Sequence, residues 1–203
     1  MAPALGAVRA CRTLGCSPRR SSSQQAHRAV RAMAASAPAP SSSVPGELAA
    51  AAQAWIEQDP DPSTRAELEA VLAAGDVAEL EDRVGARLAF GTAGLRGVVG
   101  AGSNRMNDCV VLQTSQGLAS YLEETSAGWA SRGVVVGFDG RADSERFAGL
   151  VARTLAGKGA KVYLLGSGVG ADLASTPLVA YAVRHVGAAA AVMVTASHNP
   201  KEY

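Results

Sequence analysis

Ser197 lies where the sequence would place a nucleophilic serine. It follows residues 188–195, a run of small and β-branched residues that predicts a strand, and it precedes Asn199-Pro200, a pair that favours a tight turn. A hydroxyl held on a turn at a strand end is well positioned to attack a substrate. The same pattern also suits a serine that only caps local backbone. These residues by themselves leave both interpretations open.

Two arginines could supply positive charge if the group transferred at Ser197 is anionic, as a phosphoryl group is. Arg96 lies near the end of a glycine-rich segment, 90–97, and Arg141 closely follows a predicted strand. A phosphoryl group passes through a loose, anionic transition state, so positioning and positive charge assist its transfer more than covalent chemistry does. An ordinary surface salt bridge is the alternative for either arginine.

Four further side chains would complete the candidate site if the group that it transfers is phosphoryl. His198 would hydrogen-bond or tune a phosphate on the neighbouring serine, or would only orient the loop. Thr92 offers a hydroxyl to the phosphate, and Lys201 offers a charge to it or is a solvated turn residue. Asn199 belongs to the same phosphate-contacting loop, where we expect it to shape the turn rather than to react.

Hydrophobic spacing predicts three helices between Glu47 and Leu88, ahead of the first strand. The second of these helices begins with a capping box formed by Thr64 and Glu67, and the third begins at Asp76. The segment 88–100 alternates apolar residues with glycines, which favours a strand, a tight turn and a second strand.

Strands and helices alternate through the rest of the sequence. Strands are predicted at 134–136, 162–165 and 188–195. Helices are predicted to begin at Asn107 and at Ser144, and a further helix to run through Leu178, Ala182 and Val186. This alternation predicts an α/β fold, a doubly wound α/β/α sandwich with a mostly parallel sheet. Ligands of such folds bind beyond the carboxyl ends of the strands, which is where Asp139-Gly140-Arg141 and Ser197 lie.

The first 46 residues form a basic leader that precedes a predicted domain at 47–203. All acidic residues lie at or after Glu47, whereas arginines are frequent before residue 32. This Arg- and Ser-rich composition is typical of a mitochondrial or plastid transit peptide, and a disordered tail or a wrongly assigned start ahead of Met33 fits it equally. The location is therefore open between cytoplasm and organelle.

Charge and cysteine content exclude several classes of protein. The basic residues of the leader lie in a segment that lacks the apolar periodicity needed to present a stable patch, so we expect no nucleic-acid partner. An apolar run of about 20 residues is absent, so we expect no membrane span. The 3 cysteines are too scattered for a disulfide framework or a zinc site, which favours a reducing compartment.

Three segments resemble motifs of the α-D-phosphohexomutases. Thr195–Pro200 resembles the phosphoserine loop of that family, Phe90–Gly97 its glycine/arginine loop, and Gly137–Arg141 its strand-end Asp-x-Arg motif, and all three occur in the family's order. The residues of the second motif, together with those of Ser103–Asn107 and Gln113–Gly117, are similar to the sequences of the phosphoglucomutase/phosphopentomutase branch. The resemblance extends from about residue 55 to residue 203.

The resemblance implies a function and a larger architecture. It implies a four-domain enzyme of which this chain holds the first domain, and a sugar-phosphate mutase that moves a phosphoryl group between the C1 and the C6 or C5 hydroxyls through phosphorylated Ser197. A sugar bisphosphate would be the activating intermediate. Arg96 would lie beside the phosphoserine and Arg141 would support the loop. Mg²⁺ would contact this chain only through the phosphate on Ser197, its main ligands lying elsewhere.

The family continues beyond the phosphoserine loop with segments that this sequence lacks. They include a lysine that acts as general acid and base, a magnesium loop and most sugar-phosphate contacts, so we expect the 203-residue chain alone to have no useful mutase turnover. The alternative function is a non-catalytic, truncated product that acts as an interaction domain. An uncovered apolar domain face would then favour self-association.

Two other enzyme classes are weaker alternatives. The segment Gly166–Ala171 has the form of a dinucleotide-binding fingerprint after a strand. The acidic residue that would bind the ribose about 20 positions later is missing. A serine hydrolase is disfavoured because Ser197 lacks the flanking glycines of a nucleophile elbow.

Overall fold

A computed structural model describes residues 44–92, 94–166 and 173–200. Most of the predicted leader, the greater part of the dinucleotide-like segment and Lys201 lie outside these described residues. The domain boundary predicted after residue 46 therefore stays a prediction. No helix in the described ranges is long and apolar enough to cross a membrane.

Three helices precede the first strand, as the sequence predicts. They are α1 (Gly46–Gln58), α2 (Pro62–Ala74) and α3 (Val77–Val84). Their buried faces share one hydrophobic cluster, to which Trp55, Leu68 and Leu80 contribute. Burying each large apolar side chain stabilises the layer by about 2 kcal/mol.

Two local predictions in this layer are wrong. The second helix is capped by Asp61, whose carboxylate accepts from the backbone N–H of Ser63, and not by a Thr64–Glu67 capping box. Glu67 instead accepts a hydrogen bond of 2.6 Å from Arg83, because a charged partner in the neighbouring helix competes with the backbone of its own helix. The third helix ends at Val84, so Leu88 lies beyond it.

A short hairpin and a long helix connect this layer to the sheet. The hairpin consists of β1 (Phe90–Gly91) and β2 (Gly94–Leu95), which pair antiparallel, and the helix is α4 (Asp108–Thr125). Asn107 caps the helix, since its side-chain oxygen accepts from the N–H of Val110 at 3.0 Å. Its buried amide donates to the carbonyl oxygens of Gly100 and Gly102, which holds the chain between hairpin and helix.

The main sheet is parallel and has the strand order β4-β3-β5. After the short helix α5 (Trp129–Arg132), its elements are β3 (Val134–Phe138), α6 (Ser144–Gly157), β4 (Val162–Leu164), α7 (Thr176–Val186) and β5 (Ala190–Val194). In the register, Phe138 is the partner of Val194, so β3 and β5 end side by side. Their carboxyl ends therefore present the residues that follow them at one edge.

Helices cover both faces of β3, which confirms the predicted α/β/α class. Val134, Val136 and Phe138 pack with residues of α4 and α6, whereas Val135 packs on the other face with residues that include Val179 of α7. All five residues of β3 are buried, as a central parallel strand requires. The carboxyl end of β3 is consequently held rigidly beside β5.

Gly137 lets α7 approach β3 closely. A Cβ atom at this position would lie 2.4 Å from Cγ2 of Val179 and 3.0 Å from Cβ of Ala174. We expect Gly137→Ala to lower the free energy of unfolding by about 1–3 kcal/mol, because the backbone and α7 must separate to admit the methyl group. Urea denaturation measures this change. Gly157→Ala is the control, since no heavy atom lies within 4 Å of a Cβ there. Equal stability of the two variants would contradict the close approach.

Candidate active site

The carboxylate of Asp139 organises the ends of β3 and β5. This residue directly follows β3, and its Oδ1 atom accepts from the backbone N–H of Arg141 at 3.2 Å and from the hydroxyl of Ser144 at 2.6 Å. Its Oδ2 atom accepts from the hydroxyl of Thr195 at 2.7 Å. One carboxylate therefore connects the loop after β3, the first turn of α6 and the loop after β5.

The predicted nucleophile lies on a loop whose backbone is held in an unusual conformation. Ser197 has φ +56°, the only positive φ of a non-glycine residue in the described part of the chain. The left-handed conformation costs an L-residue about 1–2 kcal/mol. Two contacts hold it: the N–H of Ser197 donates to Thr195 Oγ1 at 2.9 Å, and the N–H of Asn199 donates to the carbonyl oxygen of Ala196 at 3.0 Å.

The side chain of Arg141 binds the backbone of the same loop. Its guanidinium donates to the carbonyl oxygens of Ser197 at 3.1 Å, Asn199 at 2.9 Å and Pro200 at 2.9 Å. Its Nε atom lies 3.4 Å from Oδ2 of Asp139. The carbonyl groups of the loop therefore face Arg141, and Ser197 itself is exposed.

The structure brings some of the predicted site residues together. Nδ1 of His198 lies 3.4 Å from Oγ of Ser197, and the direction of that hydrogen bond depends on the imidazole tautomer. Arg96 is half-buried and lines a cavity of about 710 Å³ that Arg141 and Thr195 also line. Within the described ranges, no ion pair involves Arg96.

Other predicted residues are less closely associated with the serine. Thr92 is exposed and does not line the cavity beside Arg96, so the structure does not bring it to the serine. Asn199 contacts the loop through its backbone, and Lys201 lies outside the described residues. The phosphate-binding roles of these residues, and of Arg96 and Arg141, stay predictions.

Sequence reasoning missed two positioning residues, Asp139 and Thr195. Both lie inside the motifs that the resemblance rests on, so a signal was present. Their roles depend on a contact between residues 56 positions apart in the sequence, which local patterns do not reveal.

Asp139 is held as a carboxylate. Burial alone would raise its pKa, but hydrogen bonds from Ser144, Thr195 and the N–H of Arg141, together with the charge of Arg141, outweigh burial and lower the pKa below its ordinary value. The site therefore keeps an anion at its base at neutral pH. That anion orients the loop rather than facing a substrate.

A family cofactor such as Mg²⁺ finds no dedicated set of ligands here. Among the described residues, no group of three or more histidine, cysteine, aspartate or glutamate side chains is arranged to hold a metal ion. Since Mg²⁺ prefers several oxygen ligands, the described side chains do not fit such a site. No chemical step at Ser197 is therefore assigned to a metal here.

A serine held on a strained loop at the carboxyl end of a parallel α/β/α sheet, with Arg141 bound to that loop, is typical of a domain that presents a functional side chain at a ligand site. Residues 87–203, more than half of the chain, match the family described as phosphoglucomutase/phosphomannomutase, alpha/beta/alpha domain I. The chain belongs to this family, and the resemblance seen in its motifs is confirmed.

The chain is similar to several curated sugar-phosphate enzymes. It is 43% identical to the phosphopentomutase of Mus musculus over 154 residues and 45% identical to a probable phosphoribomutase of Schizosaccharomyces pombe over 149 residues. It is also 43% identical to a glucose 1,6-bisphosphate synthase of Mus musculus over 154 residues. Each match covers 73% of this chain and 24% of the relative, so the chain matches about a quarter of their length. No solved structure gives a significant match.

The hydroxyl of Thr195 can be tested as the support of the serine loop. We expect Thr195→Val to speed hydrogen exchange at the Ser197 amide by about tenfold, because that amide loses its acceptor and Asp139 loses a donor. Thr195→Ser keeps the hydroxyl and is the matched control. Exchange measured by NMR at equal rates in both variants would contradict this role.

The depressed pKa of Asp139 predicts how stability depends on pH. A carboxyl group whose pKa is lower in the folded state stabilises the fold above its unfolded pKa, about 3.9, and this contribution is lost as the pH falls through the folded pKa. We therefore expect wild type to lose stability relative to Asp139→Asn as the pH is lowered below about 4.

The measurement is the difference between the urea unfolding free energies of the two proteins over that pH range. Asp59 and Asp108, whose pKa values are raised mainly by burial, affect stability with the opposite sign but are present in both proteins. Their contributions cancel in the difference. A difference that does not vary with pH would be inconsistent with an ionised, hydrogen-bonded Asp139.

Proposed function

We propose that this chain is the phosphoryl-carrying domain of a sugar-phosphate mutase of the phosphoglucomutase/phosphopentomutase type. Ser197 carries the phosphoryl group and exchanges it between the C1 and the C6 or C5 hydroxyls of a sugar. The observation that carries the proposal is the strained, left-handed backbone of Ser197, held by Thr195 and Arg141. Strain of this kind is found where a functional group must be presented in one orientation.

The proposed reaction is a reversible exchange of one phosphorus–oxygen bond for another. The bond between phosphorus and Oγ of phosphorylated Ser197 breaks as a bond from phosphorus to the sugar oxygen forms. The sugar hydroxyl loses its proton to a base that is not among the described residues, and Oγ takes up a proton to become the serine hydroxyl again. The return step transfers the other phosphate of the sugar bisphosphate to Oγ. Arg96, half-buried and without an ion pair in the described ranges, supplies positive charge to the three equatorial oxygens.

The substrate class of the whole protein is part of the proposal. The names of the relatives, phosphopentomutase, probable phosphoribomutase and glucose 1,6-bisphosphate synthase, support phosphorylated sugars as substrates and a sugar bisphosphate as activator. Since the chain corresponds to about a quarter of these relatives, a four-domain architecture is also a proposal. We further propose that Mg²⁺ binds through the phosphate on Ser197, with its main ligands outside this chain.

A second candidate function is that of a non-catalytic interaction domain. Large apolar side chains are exposed on the domain, including Phe90 at 70% and Tyr121 at 61%. Both border the cavity beside Arg96. Scattered surface apolar residues are common, but two aromatic residues at the mouth of one apolar cavity favour a contact with protein. Self-association through this face stays a prediction, as does the absence of nucleic-acid and membrane partners.

Labelling of Ser197 tests the primary proposal. The full chain is incubated with Mg²⁺ and glucose 1,6-bisphosphate that carries radioactive phosphate. We expect label on Ser197, found by mass spectrometry, and no measurable turnover of glucose 1-phosphate. A single transfer is detected even when it is slow without the base, whereas steady turnover needs the base and the sugar-binding segments. Arg96→Gln should lower the rate of labelling about 100-fold.

Ser197→Ala should abolish the label, and Ser120→Ala, at an exposed helical serine, should retain it. Label that persists in Ser197→Ala would exclude Ser197 as the phosphoryl carrier. Steady turnover of glucose 1-phosphate by the wild-type chain would contradict the expected inactivity.

A further inference from the structure

The first turn of α6 carries a buried serine whose hydroxyl is directed away from its own helix. Ser144 is 4% exposed, and its Oγ donates to Oδ1 of Asp139 at 2.6 Å. A serine or an aspartate at a helix start usually caps the helix by accepting from a backbone N–H of the first turn. Here the N-cap residue Asp143 forms no such hydrogen bond, and its carboxylate instead pairs with Arg146 at 2.9 Å. The hydroxyl of Ser144 therefore binds Asp139 although its helix has no side-chain cap.

The charge of Asp139 fixes the direction of the hydrogen bonds that lead from α6 to Ser197. An ionised carboxylate can only accept hydrogen bonds, so the hydroxyls of Ser144 and Thr195 both donate to it. Because Thr195 donates its proton to the carboxylate, the lone pairs of its Oγ1 atom remain free to accept. The N–H of Ser197 donates to that atom at 2.9 Å. These groups therefore form one continuous chain of hydrogen bonds from the helix to the serine.

Ser144 and Thr195 hold the two different oxygens of the same carboxylate. Ser144 binds Oδ1, whereas Thr195 binds Oδ2 at 2.7 Å. The terminal torsion of an aspartate side chain has broad energy wells, so the orientation of its carboxylate depends on the donors around it. The other donor to Oδ1 is the backbone N–H of Arg141, at the longer distance of 3.2 Å. The hydroxyl of Ser144 is thus the closest contact that keeps Oδ2 directed at Thr195.

The turn that carries Ser144 is itself held firmly by its surroundings. Phe147, in the same turn, is 5% exposed and packs in the main hydrophobic cluster. Arg146 forms ion pairs with Asp143 and with Asp108, which lies in the first turn of α4. Ser197, in contrast, is exposed. Ser144 therefore connects a packed part of the domain to a loop that has little packing of its own.

We propose that Ser144 is a further positioning residue for the phosphoryl transfer at Ser197 and that it acts through Asp139. Its hydroxyl keeps the carboxylate oriented toward Thr195. Thr195 then holds the N–H of Ser197, so that Oγ of Ser197 is presented in one orientation. The inference rests on the proposed function of Ser197. Its structural part, the hold on the Ser197 amide, is measurable without any phosphoryl transfer.

Ser144→Ala in the full chain tests this role by two measurements. We expect hydrogen exchange at the Ser197 amide, followed by NMR, to become about tenfold faster. We expect labelling of Ser197 by radioactive glucose 1,6-bisphosphate to become about tenfold slower, because a charge-assisted hydrogen bond no longer orients Asp139. Ser115→Ala is the matched control and should leave both rates unchanged. Ser115 is 3% exposed, and its hydroxyl donates only within its own helix, to the carbonyl oxygen of Val111 at 2.7 Å.

A double-mutant cycle separates positioning from a general loss of stability. In Asp139→Ala the carboxylate is absent, so adding Ser144→Ala should change neither rate further, whereas two independent structural losses would add. Urea denaturation checks that each variant is folded under the conditions of the measurements. Unchanged exchange in Ser144→Ala, labelling of that variant at the wild-type rate, or full additivity with Asp139→Ala would overturn the inference. A wild-type chain that takes up no label would contradict the function proposed for Ser197, and the exchange rates alone would then decide whether Ser144 holds the loop.

Discussion

The hydrogen bond between Asp139 and Thr195 is the contact on which the rest of the site depends. It joins residues that follow β3 and β5, and it exists because the parallel register pairs Phe138 with Val194 at the ends of those strands. A slip of one residue would direct the Thr195 hydroxyl to the opposite face of the sheet. The same hydroxyl then accepts from the N–H of Ser197, so the strand register is transmitted directly to the serine.

The arginines of this domain differ in what they contact: one holds the serine loop, and two others line cavities. Arg141 directs its guanidinium to loop carbonyls and Asp139, which makes it a residue that positions Ser197. Arg96 and Arg87 form no ion pair in the described part of the chain, and each lines a separate cavity.

Much of the architecture was predictable because hydrophobic spacing is a local property of the chain. The central strand was recognised from a continuous apolar run, and its burial on both faces follows from the helices at either side. The helix capped by Asn107 was equally clear, since an N-cap acts over three residues. The capping box at Glu67 was predicted wrongly because Arg83, 16 positions away, offers that carboxylate a stronger partner.

The sequence by itself determined the family, the alternation of strands and helices, and the identity of the candidate nucleophile. These properties depend on motifs and on local periodicity. Only the tertiary structure decided that Asp139 holds Thr195, that Arg141 binds loop carbonyls, and that an indole N–H of Trp55 is left without an acceptor among the described residues. Such facts depend on the packing of distant segments, because a hydrogen bond requires atoms to meet within about 3 Å, which spacing along the chain does not specify.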